Sequence, residues 1–372
     1  MNKYLIVLTV IVIVLVGAYY LLFTNPETLN TPQTATSTSQ LIKVGVLAPL
    51  SGDYAMMGES ALAGAQLAAK EINDAGGVNG NSIEIVFEDD QCTKNGGVAA
   101  VTKLIIVNEV TAVLGSICSS SSESASTVSQ VAGVSMIIAG ATSPNLTKAG
   151  EYIFRVSPSA VAQGKFVAEN LYKTLNKTKV AVVFGKDDWN QFLEESFVTS
   201  FKELGGKVVY EGGLAVNATS KEVKDAVAKI KSSKAEYIYA PTLPSVNALL
   251  VKELTAAKIK TPILEVVPKY NNLEDFNNRV KDLTGKDPNS FTPVFYDAVK
   301  MLANVMSQTG VDKKSLRNSL VTTIYDTGVS SVIEFDDNRE LKTPVFEVKN
   351  SSESTPATTS STAPATSSTT PQ

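Results

Sequence analysis

Histidine is absent from all 372 residues, which removes the one side chain that ordinarily changes charge between pH 5 and 8. Ser–His and Cys–His nucleophile pairs and His-ligated metal sites go with it, so most enzyme chemistry is disfavoured and no catalytic residue is assigned. Cysteine is almost absent: Cys92 and Cys118 are the only two. Neither stands directly after the N-terminal apolar run, which excludes a lipid-bearing N-terminal cysteine. An excess of basic residues is also lacking, with 33 Lys+Arg against 37 Asp+Glu and a net charge of −4. The pI is near 5.2, and nucleic acid is not an expected partner. No G-x-G-x-x-G follows the first strand and no G-x-x-x-x-G-K-[ST] occurs, so nucleotides are disfavoured. Neither a cofactor nor a metal is expected.

What is present is unevenly distributed. Tyr4 to Phe23 carries no charge and is long enough to cross a hydrocarbon core as a helix. Lys3 before it places the N-terminus inside and the rest of the chain outside. Residues 1–23 therefore read as an uncleaved membrane anchor, with a cleaved signal peptide as the alternative. Residues 24–40 and 350–372 are Ser/Thr/Pro-rich tracts that cannot bury enough apolar surface to offset the entropy of ordering. They are expected to be disordered spacers. Sequons at Asn145, Asn176, Asn217 and Asn350 fit an exported chain. In that setting one even cysteine pair reads as a disulfide, constraining the unfolded chain by about 3–4 kcal/mol. Two buried free thiols are the alternative; a metal pair lacks further ligands.

Between the tails, strands and amphipathic helices alternate. Ile42–Pro49, Ile83–Glu88, Ala112–Leu114 and Ser135–Ala139 read as strands, separated by helices over Ala61–Ala75, Gly97–Asn108 and Ser122–Ala132. The pattern restarts after Pro158. There the strands are Val180–Phe184, Lys207–Tyr210, Ala235–Tyr239 and Pro262–Val267, with helices Ala160–Thr174, Gln191–Leu204, Ser220–Lys231 and Val246–Ala257 between them. This alternation predicts two α/β blocks with parallel sheets.

Open parallel sheets bind ligands beyond the carboxyl ends of their strands. Three such ends stand out: Leu50–Gly58, Gly115–Ser122 (GSICSSSS) and Gly140–Pro144 (GATSP). Serine hydroxyls and free N–H groups at a helix N-terminus suit a carboxylate; a Ser-rich cap is the plainer reading. Asp89 and Asp90 are adjacent acids, but strand neighbours point to opposite faces and suit a turn better than acid–base work.

At this point the stretches VGVLAPLSGDYAMMGESALAGAQLAAKEINDAGGVNG, EDDQC, GSICSSSSESAS and IIAGATSPNLT, with a weaker echo in FYDAV at Phe295–Val299, become recognisable. The folded region resembles the type I periplasmic binding proteins, in the leucine/isoleucine/valine-binding branch of ABC transporter receptors. The resemblance implies two Rossmann-like lobes joined by hinge crossovers: lobe 1 from 42–157 plus 270–329, lobe 2 from 158–269 plus 330–349. It implies a Cys92–Cys118 bond. It further implies that Ser119 donates from its hydroxyl and N–H to a ligand carboxylate, that Gly140 offers its carbonyl, and that Ala141 lines the pocket. Thr142 would contribute its hydroxyl and N–H, and Met57 would stand where the family often has an aromatic wall. Trp189, the only tryptophan, would close from the second lobe, and Leu243 would occupy a position commonly held by tyrosine.

Two departures accompany it. The second-lobe acid that pairs with a ligand ammonium belongs after the Pro262–Val267 strand, where only Glu265 is nearby. The chain there runs through Pro268-Lys269-Tyr270 into a helix over Leu273–Leu283, so about one strand–helix unit is missing and the second lobe is shortened. The expected function is capture of an amino acid, branched-chain or otherwise apolar, or a related carboxylate, for delivery to an ABC transporter permease. A sensor, or a surface structural or adhesive protein on the same fold, is the alternative.

Overall fold

The structure is a computed structural model and describes residues 41–326, 328–330 and 332–350. The expected anchor (1–23), linker (24–40) and tail beyond Asn350 lie outside the described residues. Among those described, no helix is long and apolar enough to cross a membrane.

Strands β1 (Ile42–Ala48), β2 (Ile83–Asp89), β3 (Ala112–Gly115), β4 (Met136–Ile138) and β5 (Ile153–Arg155) form a parallel sheet in the order β2-β1-β3-β4-β5. A second sheet has β6 (Lys179–Gly185), β7 (Lys207–Leu214), β8 (Tyr237–Tyr239) and β9 (Ile263–Pro268), all parallel. Short β10 (Ile324–Tyr325) and β11 (Ile333–Glu334) pair with each other, and β12 (Phe346–Asn350) adds antiparallel to β9. The helices are α1 (Ala55–Asp74), α2 (Lys94–Thr102), α3 (Ser119–Ala132), α4 (Ala160–Glu169) and α5 (Asp188–Glu203). They continue with α6 (Ser220–Ser233), α7 (Pro244–Ala256), α8 (Leu273–Thr284), α9 (Thr292–Thr309) and α10 (Lys313–Val321).

Strand alternation divides each sheet between two cores. In the first, Leu114 and Ile137 pack with Leu67 of α1, Phe276 of α8 and Phe295 of α9. Val113, Met136 and Ile138 face the other way, onto Leu104 and Ala125. In the second, Ala181, Val183 and Ile238 meet Val223 of α6 and Leu250 of α7. Val182 and Tyr239 meet Phe197 and Phe201 of α5. Central strands covered on both faces read as continuous apolar runs, which is why IKVGVLA showed no alternation.

The chain crosses between the sheets after β5 and again after β9. The second crossing is short: β9 ends at Pro268 and α8 begins at Leu273. Helix α8 packs in the core of the first sheet, and β12 returns to cover the β9 edge. Asp297 of the FYDAV stretch is fully buried and accepts from Val329 N at 2.9 Å. Asn271 N in turn donates to Val329 O at 2.6 Å, so one buried carboxylate ties the crossing segments together.

Four helices start three or more residues earlier than the apolar periodicity implied, α2 among them at Lys94 against an expected 97. Helix α1 begins at Ala55, α3 at Ser119 and α5 at Asp188, against expected starts at 61, 122 and 191. Their first turns, at 55–58, 94–97, 119–122 and 188–191, carry too few apolar residues at helical spacing to show a stripe.

Candidate functional site

In each sheet the strand order reverses direction: between β1 and β3 in the first, and between β6 and β8 in the second. Those are the points where crevices open beyond the strand ends. The loops there face one another, and two cavities of about 200 Å³ each lie between them.

The first cavity is framed by the start of α3. Cys118 is the N-cap residue, and its side chain makes no cap hydrogen bond. The first N–H groups of α3 are therefore without the side-chain oxygen that usually claims them. Ser119 is 2% exposed, faces this cavity and has an Oγ with no hydrogen-bond partner among the described residues. The loop before it is braced from behind. Buried Asp90 accepts from Ser121 Oγ and Cys92 N, both at 2.8 Å, and burial pushes its carboxyl pKa up. Cys92 and Cys118 are disulfide-bonded. Asp89 caps the neighbouring turn through Leu50 N at 2.9 Å.

The second cavity contains Gly140 and Thr142, from the end of β4. Gly140 is required by close approach, since a Cβ there would lie 2.7 Å from Ile117 Cα. Thr142 is 5% exposed and its Oγ1 is also unpartnered. Tyr239 OH, Thr242 Oγ1 and Trp189 Nε1 add unpartnered polar atoms from the second sheet, as do the Oδ1 atoms of Asn190 and Asn247. An unsatisfied buried polar group costs about 1–3 kcal/mol; so many converging on one cleft mark a place built for a polar guest. Leu193, Phe291 and Val294 supply apolar wall. Met57, Trp189 and Phe291 border both cavities, which therefore adjoin, with the Trp189 and Phe291 rings 6.1 Å apart.

The structure thus brings Ser119, Gly140, Thr142, Met57 and Trp189 together at the cleft. Met57 does so from the first turn of α1 rather than from a loop. Two expectations need correction. Ala141 is fully buried in the core beneath the first sheet, because its N–H is tied to Ser116 O at 3.2 Å and turns the side chain inward. Leu243 packs in the core of the second sheet, and its neighbours Thr242 and Pro244 reach the cavity instead. Glu265 borders the second cavity but is exposed. Tyr239, Thr242, Asn190 and Phe291 were missed, although Tyr239 and Thr242 stand at a strand's carboxyl end, where the same rule would have found them. Among the described residues no His/Cys/Asp/Glu group could hold a metal ion.

The fold is an α/β one with two mainly parallel sheets and a cleft between their facing strand ends. The family model described as periplasmic binding protein matches residues 41–271, and the chain belongs to that family. It is 35% identical over 215 residues to an amino acid binding protein of Pseudomonas aeruginosa, covering 57% of each chain. It is 30% identical over 225 residues to the Leu/Ile/Val-binding protein of Escherichia coli K12, covering 60% of each. The chain therefore spans less than two thirds of the length of these two relatives. Among solved structures, a branched-chain amino acid transporter substrate binding protein of Streptococcus pneumoniae, in complex with isoleucine, superimposes with a TM-score of 0.73. That match is 23% identical and covers 84% of this chain and 100% of the other; at that identity it speaks for the fold.

Proposed function

We propose that the chain is an extracytoplasmic receptor that captures an amino acid, branched-chain or otherwise apolar, and delivers it to an ABC transporter permease. The observation that carries this reading is the uncapped start of α3, with buried, unpartnered Ser119 Oγ beside it and unpartnered Thr142 Oγ1 in the adjoining cavity. Free N–H groups at a helix N-terminus and two hydroxyls hold a carboxylate, and the helix dipole favours its charge. Cavities near 200 Å³ are smaller than the roughly 300–1,000 Å³ that house drug-sized ligands, which favours a small solute. The names of the relatives point to the same class. The solute docks on the first lobe, and hinge closure buries it against the second. The apolar run before Thr24 anchors the receptor to the outer face of the cytoplasmic membrane.

A thermal-shift series of the protein with the common amino acids and simple carboxylates tests this. A solute at a hundredfold excess over its Kd raises stability by about 2.7 kcal/mol. Hydrogen bonds to a charged group contribute about 1.5–3 kcal/mol, so Ser119→Ala and Thr142→Ala are each expected to weaken binding by about tenfold or more. A folded protein that shifts with none of these solutes would rule the receptor reading out.

A further inference from the structure

We propose that Asp187 and Asp188, at the start of α5, form the ammonium-binding wall of the cleft, so that the site selects solutes carrying both a carboxylate and an amine. This rests on the receptor reading and assigns the group that the segment after β9 does not supply. The first cavity has two unlike ends. One is the α3 N-terminus, with Ser119 unpartnered and 2% exposed. The other carries Asp187 and Asp188 from the opposite sheet.

Asp187 is held in place as the N-cap of α5, accepting from Asn190 N at 3.1 Å and Asn190 Nδ2 at 2.7 Å. Capping explains one acid there. The helix dipole favours a second acid in the first turn, but neither effect explains the unpartnered serine lining the same cavity. Neither carboxylate forms an ion pair with a described lysine or arginine, although twelve other such pairs occur among the described residues. Tyr54 borders the cavity and registers the resulting field. Its hydroxyl pKa is pushed up to about 12, first by burial and then by Asp187, Asp53 and Asp188.

A helix N-terminus at one end and uncompensated carboxylates at the other match a zwitterion's two charges. A carboxylate without the amine meets only repulsion from the second wall. The other cavity offers no equivalent pair, since it carries a single acid, Glu265.

Calorimetric titration of the full chain with leucine, and with 4-methylpentanoate, which has the same skeleton without the amine, tests the assignment. The wild type is expected to prefer leucine by tenfold or more. The double variant Asp187→Asn, Asp188→Asn keeps a good N-cap residue and should lose at least tenfold in leucine affinity but little for 4-methylpentanoate. An unchanged preference in the double variant overturns the proposal. So does a wild type that binds 4-methylpentanoate as well as leucine, which leaves a carboxylate receptor standing. A wild type that binds no amino acid and no carboxylate overturns the receptor reading as well. If the double variant does not fold, Asp188→Asn alone, at an exposed side chain, reads the same preference.

Discussion

Glu194 lies on α5 one turn beyond Asn190, buried to 6% exposure. Its pKa is pushed up to about 7, by burial first and then by Glu211 and Glu195, with Lys202 opposing. In the folded chain it binds its proton more tightly than in the unfolded chain, so its contribution to stability is full below the unfolded carboxylate pKa. That contribution is lost as pH rises through 7. Glu194→Gln removes the penalty. It is expected to be about 1 kcal/mol more stable than wild type at pH 8, with the two converging near pH 4, as read by urea denaturation. Identical pH profiles for the two proteins would show that Glu194 ionises freely in the fold.

At the scale of elements, the disulfide decides how the α3 start is held. It joins the turn after β2 to the N-cap residue of α3, directly before Ser119. Closing a loop of this length restricts the unfolded chain, so Cys92→Ser with Cys118→Ser is expected to cost about 3 kcal/mol. Asp90 still anchors Ser121, so the element should persist while solute affinity falls. Equal denaturation midpoints for the two proteins would contradict this. The same element shows why boundaries were hard to read. The run Ser119–Ser122 is the first turn of a helix, but four serines carry no apolar periodicity, and only the backbone geometry reveals that they are helical. Likewise Met57 was expected in a loop because Gly52–Tyr54 reads as turn.

For the whole molecule, Trp189 is the natural reporter. It is the only tryptophan, it rises from the second sheet's side, and it faces Phe291 at the head of α9, which packs on the first sheet. Saturating solute is expected to change its emission as the lobes close, with a midpoint that matches the calorimetric Kd. Emission that stays constant through saturation would remove Trp189 as a closing wall. The short crossing from β9 to α8 and the Asp297 tie to Val329 and Ser330 join the two sheets' sides near this face.

The sequence alone determined the alternation of strands and helices, because buried parallel strands need apolar runs and their covering helices need stripes. It also determined where ligand residues should cluster, since GSICSSSS and GATSP follow strands whose carboxyl ends open the crevice. Side-chain direction was beyond it. Ala141 and Leu243 sit within one residue of true cleft residues, yet turn into cores because a backbone hydrogen bond or a helix start rotates them away. Only the tertiary structure brought Asp187 and Asp188 to the same cavity as Ser119, since that meeting joins residues more than sixty positions apart, on the sides of two different sheets. Proximity across a cleft is set by how the lobes pack, and no local pattern encodes it.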